Sequence, residues 1–176
     1  MTRGADAPDG EDGSAATVAL AETDDLDALA DLWVALVADQ RAHGAHLLAG
    51  ENRSTARDFL GQYVAGDRVY VARVGDALVG FVMFHVETGA YEQDTTRGVV
   101  DNVFVVPAYR DRGVGSRLLD AAEAALEERG AETLAVSVLA ANDAARRLYE
   151  RRGYTAQRLV LERPAESDTH SKEAGQ

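Results

Sequence analysis

Apolar and polar positions along this chain repeat with two periods, and the switches between them mark out its elements. Thr17 to Ala21 reads as a short strand. Thr23, with Asp24 and Asp25 behind it, supplies an N-cap and negative charge for a helix start. Leu26, Leu29, Ala30, Trp33, Leu36 and Val37 then recur at helical spacing to about Ala42. A loop around Gly44 to Arg53 leads to a second helix near Thr55 to Val64. Val69 to Val74 and Ala77 to Val86 are predicted strands, joined at Gly75-Asp76, a dipeptide suited to a tight hairpin. Thr88 to Thr96 is a polar connection before a largely apolar strand, Arg97 to Val106. Gly113 to Arg129 is a helix with Leu118, Leu119, Ala122 and Leu126 on one face, ending at Gly130. A strand from Thr133 to Val138, a helix from Asn142 to Arg152 and a terminal strand around Arg158 to Leu161 complete the order βααβββαβαβ. Strands interleaved with helices, without internal repeats, predict an α/β domain.

With 176 residues the chain has the length of one domain with a full core. Residues 1–16 and 163–176 are polar and rich in small or acidic residues, so both are expected to be disordered tails around a domain at 17–162. No run of eighteen apolar residues is present, which predicts no membrane association. The start of the chain lacks a signal-peptide apolar region, and there are no cysteines. Disulfides, thiolate metal sites and a cysteine nucleophile are thereby excluded, and a cytoplasmic location is expected. A net charge of −12 argues against nucleic acid as a partner. The scarcity of lysine beside many arginines and acidic residues fits a GC-rich genome or a halophilic cytoplasm.

The candidate chemistry begins at the junction from Val99 to Ser116, where the strand turns into a glycine-rich helix start carrying Arg110 and Arg112. A helix start offers unpaired N–H groups and the positive end of the helix dipole to an anion. Gly113 and Gly115 leave the backbone open to a ligand, and the arginines add charge suited to phosphates. The spacing excludes two common nucleotide motifs. Leu118 stands where a dinucleotide fingerprint needs its third glycine, and the one lysine, Lys172, is far from any P-loop position. The pattern Arg-x-x-Gly-x-Gly between a strand and an amphipathic helix resembles the acetyl-CoA-binding motif of the GCN5-related N-acetyltransferase (GNAT) superfamily. A second segment, Asn142 to Tyr154, resembles that superfamily's later motif: an Asn at a helix start, then Leu148-Tyr149, then Gly153 and an aromatic. The likeness spans about residues 17–162.

The resemblance implies a mixed, mostly antiparallel twisted sheet flanked by helices, the acyl-CoA N-acyltransferase fold, with strands four and five splayed around acetyl-CoA as cosubstrate. Phe104, Val105 and Val106 would offer backbone bonds to the pantetheine arm. Arg110, Asp111, Arg112, Gly113, Val114, Gly115 and Ser116 would cradle the pyrophosphate, and Asn142 would lie near the pantetheine. The implied activity is N-acetyl transfer, in which an amine attacks the thioester directly. Such an amine must shed a proton, and the departing sulfur benefits from gaining one. Tyr149 matches the family's general acid. Asp101 lies on the strand where several relatives carry a glutamate base, and as the shorter side chain it would work through a water. No metal is implied, and His43 and His46 read as helix-end or loop residues. The partners implied are acetyl-CoA and an amine acceptor, small or protein-borne, and a homodimer is compatible with this reading. A non-catalytic acyl-CoA sensor on the same fold is the alternative, against which the retained Tyr149 speaks.

Overall fold

The computed structural model describes residues 15–89 and 91–164. The two expected tails therefore lie outside the described residues except at their inner ends, where Ala16 is buried in the core. Five strands, β1 (Thr17–Leu20), β2 (Val69–Val74), β3 (Ala77–Val86), β4 (Arg97–Val105) and β5 (Thr133–Val136), form one sheet in sequential order. The first four are antiparallel neighbours, and β5 runs parallel to β4. The helices are α1 (Leu26–Arg41), α2 (Arg53–Val64), α3 (Val114–Glu128) and α4 (Asp143–Arg151).

The alternation of β3 divides the core. Phe81 and Met83 point to one face, where Leu29, Leu32 and Leu36 of α1 and Leu60, Tyr63 and Val64 of α2 cover them. Val82 and Phe84 point to the other, against Val114, Leu118, Leu119, Ala122 and Leu126 of α3 and Tyr149 of α4. Each helix thus buries the stripe that its apolar spacing marks. The connection from β4 to its parallel neighbour β5 runs through α3, as a parallel pair requires.

Two local expectations are corrected. Thr23 does not cap α1; it opens a short 3-10 turn, Thr23–Asp25. The buried Asp25 instead accepts the Glu22 N–H at 2.9 Å and the Arg73 guanidinium at 2.6 Å, tying the start of α1 to β2. The terminal strand around Arg158–Leu161 is not formed. Leu159, Val160 and Leu161 are 77%, 80% and 90% exposed, and this segment pairs with no strand among the described residues. A β-like pattern becomes a strand only with a ladder partner and a face to cover. No helix among the described residues is long and apolar enough to cross a membrane.

Candidate active site

The site begins where the sheet opens. Pairing of β4 with β5 runs from Arg97 opposite Thr133 to Val100 opposite Val136, and stops there. Beyond Val100, β4 continues to Val105 beside β3 alone. Among the described residues its edge groups on the β5 side are free of strand partners along that stretch, the Val105 carbonyl alone accepting from Arg110 Nε. Phe104 lies opposite Phe81, and the Val106 N–H donates to the Val79 carbonyl at 2.9 Å, so both are turned toward β3. Strand alternation turns the Val105 amide the other way, to the open edge.

The chain then passes through a 3-10 turn, Pro107–Tyr109, into α3. Asp111 and Gly113 both take positive φ, +60° and +75°, and Gly113 is the N-cap of the helix. The first helical hydrogen bond runs from the Arg117 N–H to the Gly113 carbonyl at 3.1 Å. The N–H groups of Val114, Gly115 and Ser116 are left without partners inside the helix. The side-chain positions of the two glycines beside them are open. A Cβ on Gly113 would meet no atom within 4 Å, and one on Gly115 would meet only Val105 Cγ2, at 3.7 Å. Packing does not demand a glycine at 115; the open cradle fits a diphosphate that must approach the backbone closely. Arg110 and Arg112, both exposed, flank it. Arg110 donates from Nε to the Val105 carbonyl at 2.9 Å and meets Asp39 of α1 at 3.3 Å, while Arg112 lies over the Tyr109 ring.

After β5 comes α4, whose Ala145, Leu148 and Tyr149 pack into the core on the α3 side of the sheet. Asn142 caps it, its Oδ1 accepting the Ala145 N–H at 3.1 Å. Tyr149 is 7% exposed, and its ring meets Tyr154 edge-on at 5.8 Å. Burial alone pushes its phenol up to about 12, so the hydroxyl keeps its proton through neutral pH. Arg152 fixes the end of α4 to α3 through Glu123, at 2.6 Å, and Asp120, at 2.7 Å, and Tyr154 donates to the same Glu123 at 3.0 Å.

The sequence-predicted Asp101 sits at an irregularity in β4. Met83 pairs with Asn102 and Phe84 with Val100, leaving Asp101 as the extra residue of a bulge. Its Oδ2 lies 2.8 Å from Nδ1 of His85 on β3. The His85 ring meets Tyr63 of α2 edge-on at 6.3 Å, and Tyr63 meets Phe59 at 4.9 Å. The Tyr63 phenol is raised above its ordinary value, first by burial and then by the Asp101 charge. Phe59 in turn lines a hollow of about 240 Å³ between α1 and α2, with Trp33, Leu47, Asn52, Thr55 and Ala56. Of the two loop histidines, His46 meets Glu162 at 3.0 Å. His85 and the hollow escape sequence reasoning. The one signal for His85 is that it breaks the apolar run of β3, on the face that Phe81 and Met83 share.

The family model of the acetyltransferase (GNAT) family matches residues 27–154. No curated protein matches. Among solved structures, the chain is similar to a GCN5-related N-acetyltransferase from Ralstonia eutropha JMP134, with 24% identity, TM-score 0.68, and coverage of 85% of this chain and 98% of that one. It is also similar to an aminoglycoside N-acetyltransferase in complex with CoA (16% identity, TM-score 0.70, 88% and 97% covered). A ribosomal-protein-alanine N-acetyltransferase from Brucella melitensis biovar Abortus 2308 shares the fold at 22% identity and TM-score 0.61, with 86% and 100% covered.

Proposed function

The chain belongs to the acetyltransferase (GNAT) family, and from that premise we propose that it transfers an acetyl group from acetyl-CoA to an amine by direct attack of the nitrogen on the thioester. The observation that carries this reading is the cradle at the start of α3. Three amides without helical partners follow an N-cap glycine whose Cβ position is open, beside a glycine at 115 that the fold does not need and next to the parting of β4 and β5.

Acetyl-CoA supplies the activated acyl carbon. The amides of Val114, Gly115 and Ser116 hold its diphosphate, with the exposed Arg110 and Arg112 beside them as counter-charges. The open edge of β4 at Val105 takes the pantetheine arm, and the same edge offers an N–H toward charge developing on the carbonyl oxygen. Asn142 sets the start of α4 and so the place of Tyr149. The Tyr149 phenol, protonated at neutral pH, gives its proton to the departing sulfur. Asp101, directed by the β4 bulge to the α1/α2 face, serves the removal of a proton from the amine.

The test is calorimetric titration with acetyl-CoA, followed by an amine panel read by release of free CoA thiol. The panel holds aminoglycosides, peptides with free N-terminal amines and polyamines. Micromolar binding with thiol release on at least one amine is expected. Absence of binding by the folded protein overturns the proposal. Binding without thiol release on any amine turns it into the acyl-CoA sensor.

A further inference from the structure

We infer that Asp101 does not act alone: His85 and Asp101 form one base, in which the imidazole takes the acceptor's proton and the carboxylate holds the ring. This rests on the acetyl-transfer function proposed above and assigns its proton acceptor.

The geometry fixes the tautomer. An ionised carboxylate only accepts hydrogen bonds, so at 2.8 Å from Asp101 Oδ2 the Nδ1 of His85 must carry the proton. The neutral ring then has its lone pair on Nε2, the form suited to accepting a proton from elsewhere. Both side chains are partly open, 28% for His85 and 21% for Asp101, so the pair is reachable without being fully hydrated. The bulge matters here. Without it, and with Asn102 still opposite Met83, Asp101 would pair with Phe84 and turn, as Phe84 does, to the α3 face, away from His85.

The surroundings favour one shared proton site. Tyr63 of α2 faces the ring edge-on, and Arg68, after α2, lies 4.4 Å over the Tyr63 ring. Further along the same two strands, Glu87 and Arg97 stand 3.0 Å apart, close as charges though not aligned as a hydrogen bond. That pair balances itself and leaves Asp101 as the anion against which an imidazolium forms. A carboxylate, ordinarily near pKa 4, is a weak base toward an ammonium group, and an imidazole, ordinarily near 6.5, is a better one at neutral pH. Asp101 is thus a positioning residue that also offsets the charge His85 gains.

The protons balance. The ammonium gives one proton to His85 Nε2, which passes it to solvent. The freed nitrogen forms a C–N bond to the acyl carbon, and the C–S bond breaks. The sulfur leaves with the Tyr149 proton, which the second proton lost from nitrogen replaces, and the third stays on the amide.

His85→Gln tests this, because its amide can still donate to Asp101 but cannot carry a proton. The expected result is a fall in kcat of about 100-fold or more, with acetyl-CoA affinity and melting temperature unchanged. The acid limb of the kcat–pH profile should also be displaced, and added imidazole should restore part of the activity of His85→Ala. A His85→Gln enzyme within about fivefold of the parent, against the 100-fold or more typical of a lost general base, overturns the inference. Nitrogen-15 NMR of the His85 ring gives a readout that needs no turnover. A proton on Nδ1, lost from it in Asp101→Ala, is expected, and a proton on Nε2 overturns the couple. A parent that binds no acetyl-CoA removes the function proposed above and the base role with it, while the nitrogen spectrum still reports on the couple itself.

Discussion

Gly115→Ala separates what the fold needs from what the ligand needs. Gly115 is the second residue of α3, its φ is not in the left-handed region, and a Cβ there makes one ordinary contact, 3.7 Å to Val105 Cγ2. Alanine therefore fits. Near a helix end it should stabilise the free protein by about 0.5 kcal/mol, part of the roughly 1 kcal/mol that separates Gly from Ala in a helix interior. For a domain of this size that raises the melting temperature by about 1–2 °C. The ligand sees the opposite. A methyl group among the amides of Val114, Gly115 and Ser116 keeps a phosphate oxygen from its closest approach. Losing one charge-assisted hydrogen bond costs about 1.5–3 kcal/mol, a 10- to 100-fold rise in Kd. Calorimetry and a thermal melt on the same preparation read both signs. Acetyl-CoA affinity within about twofold of the parent, a difference of only ~0.4 kcal/mol, would place the diphosphate elsewhere. A lower melting temperature would show that the fold itself requires the glycine. Gly113→Ala cannot separate the two, because φ of +75° strains any side chain there whatever binds.

Three further substitutions probe the frame of the site. Tyr149→Phe should lower kcat about 100-fold with acetyl-CoA affinity unchanged, and equal turnover would make Tyr149 a packing residue. The same variant reports on alkaline stability. A tyrosine in the unfolded chain ionises near pH 10, whereas Tyr149 holds its proton to about 12. Its contribution, about 3 kcal/mol, is full below pH 10 and drains away between 10 and 12, so the gap between parent and Phe variant in urea should shift over that window. Arg152→Ala, which removes the contacts to Glu123 and Asp120, should cost about 1–3 kcal/mol in denaturant unfolding. A loss below about 0.5 kcal/mol, the scale of a featureless surface site, would show that α4 is held by its apolar face. Gly80→Ala would place a Cβ 2.6 Å from the Phe104 carbonyl, a backbone atom that cannot swing aside. A loss of about 1–3 kcal/mol is expected, and an unchanged melting temperature would refute that close approach.

The regular elements were legible because each carries its period over enough residues to be unambiguous. β2 and β3 were predicted with the bounds the structure shows, helped by Gly75-Asp76 between them, and the stripe Leu118, Leu119, Ala122, Leu126 of α3 is the stripe the core buries. Errors gathered where the deciding partner is remote. Asp25 looks like a first-turn acid in a helix, and its burial is decided by Arg73, on β2. Leu159-Val160-Leu161 has the composition of a strand, and no local feature reports whether a ladder partner exists.

The candidate site divides along the same line. The cradle is local: Gly113, Gly115 and three helix-start amides follow one another in sequence, so a short motif suffices to announce them. The acid–base machinery is not. Asp101 could be singled out only through its place on a family strand, and His85 carried no motif at all. What joins them is a register shift between Met83 and Phe84 in the β3–β4 ladder, which adds one residue to β4 and turns Asp101 toward its neighbour. A register shift is a property of two strands together, not of either sequence alone. The same logic makes the bulge itself the determinant to perturb. Deleting Asn102 would regularise the ladder while keeping both His85 and Asp101. It sets Asp101 opposite Met83, on the face His85 shares but only as its diagonal neighbour, so the 2.8 Å contact should lengthen and turnover fall, while the cradle at α3 continues to bind acetyl-CoA.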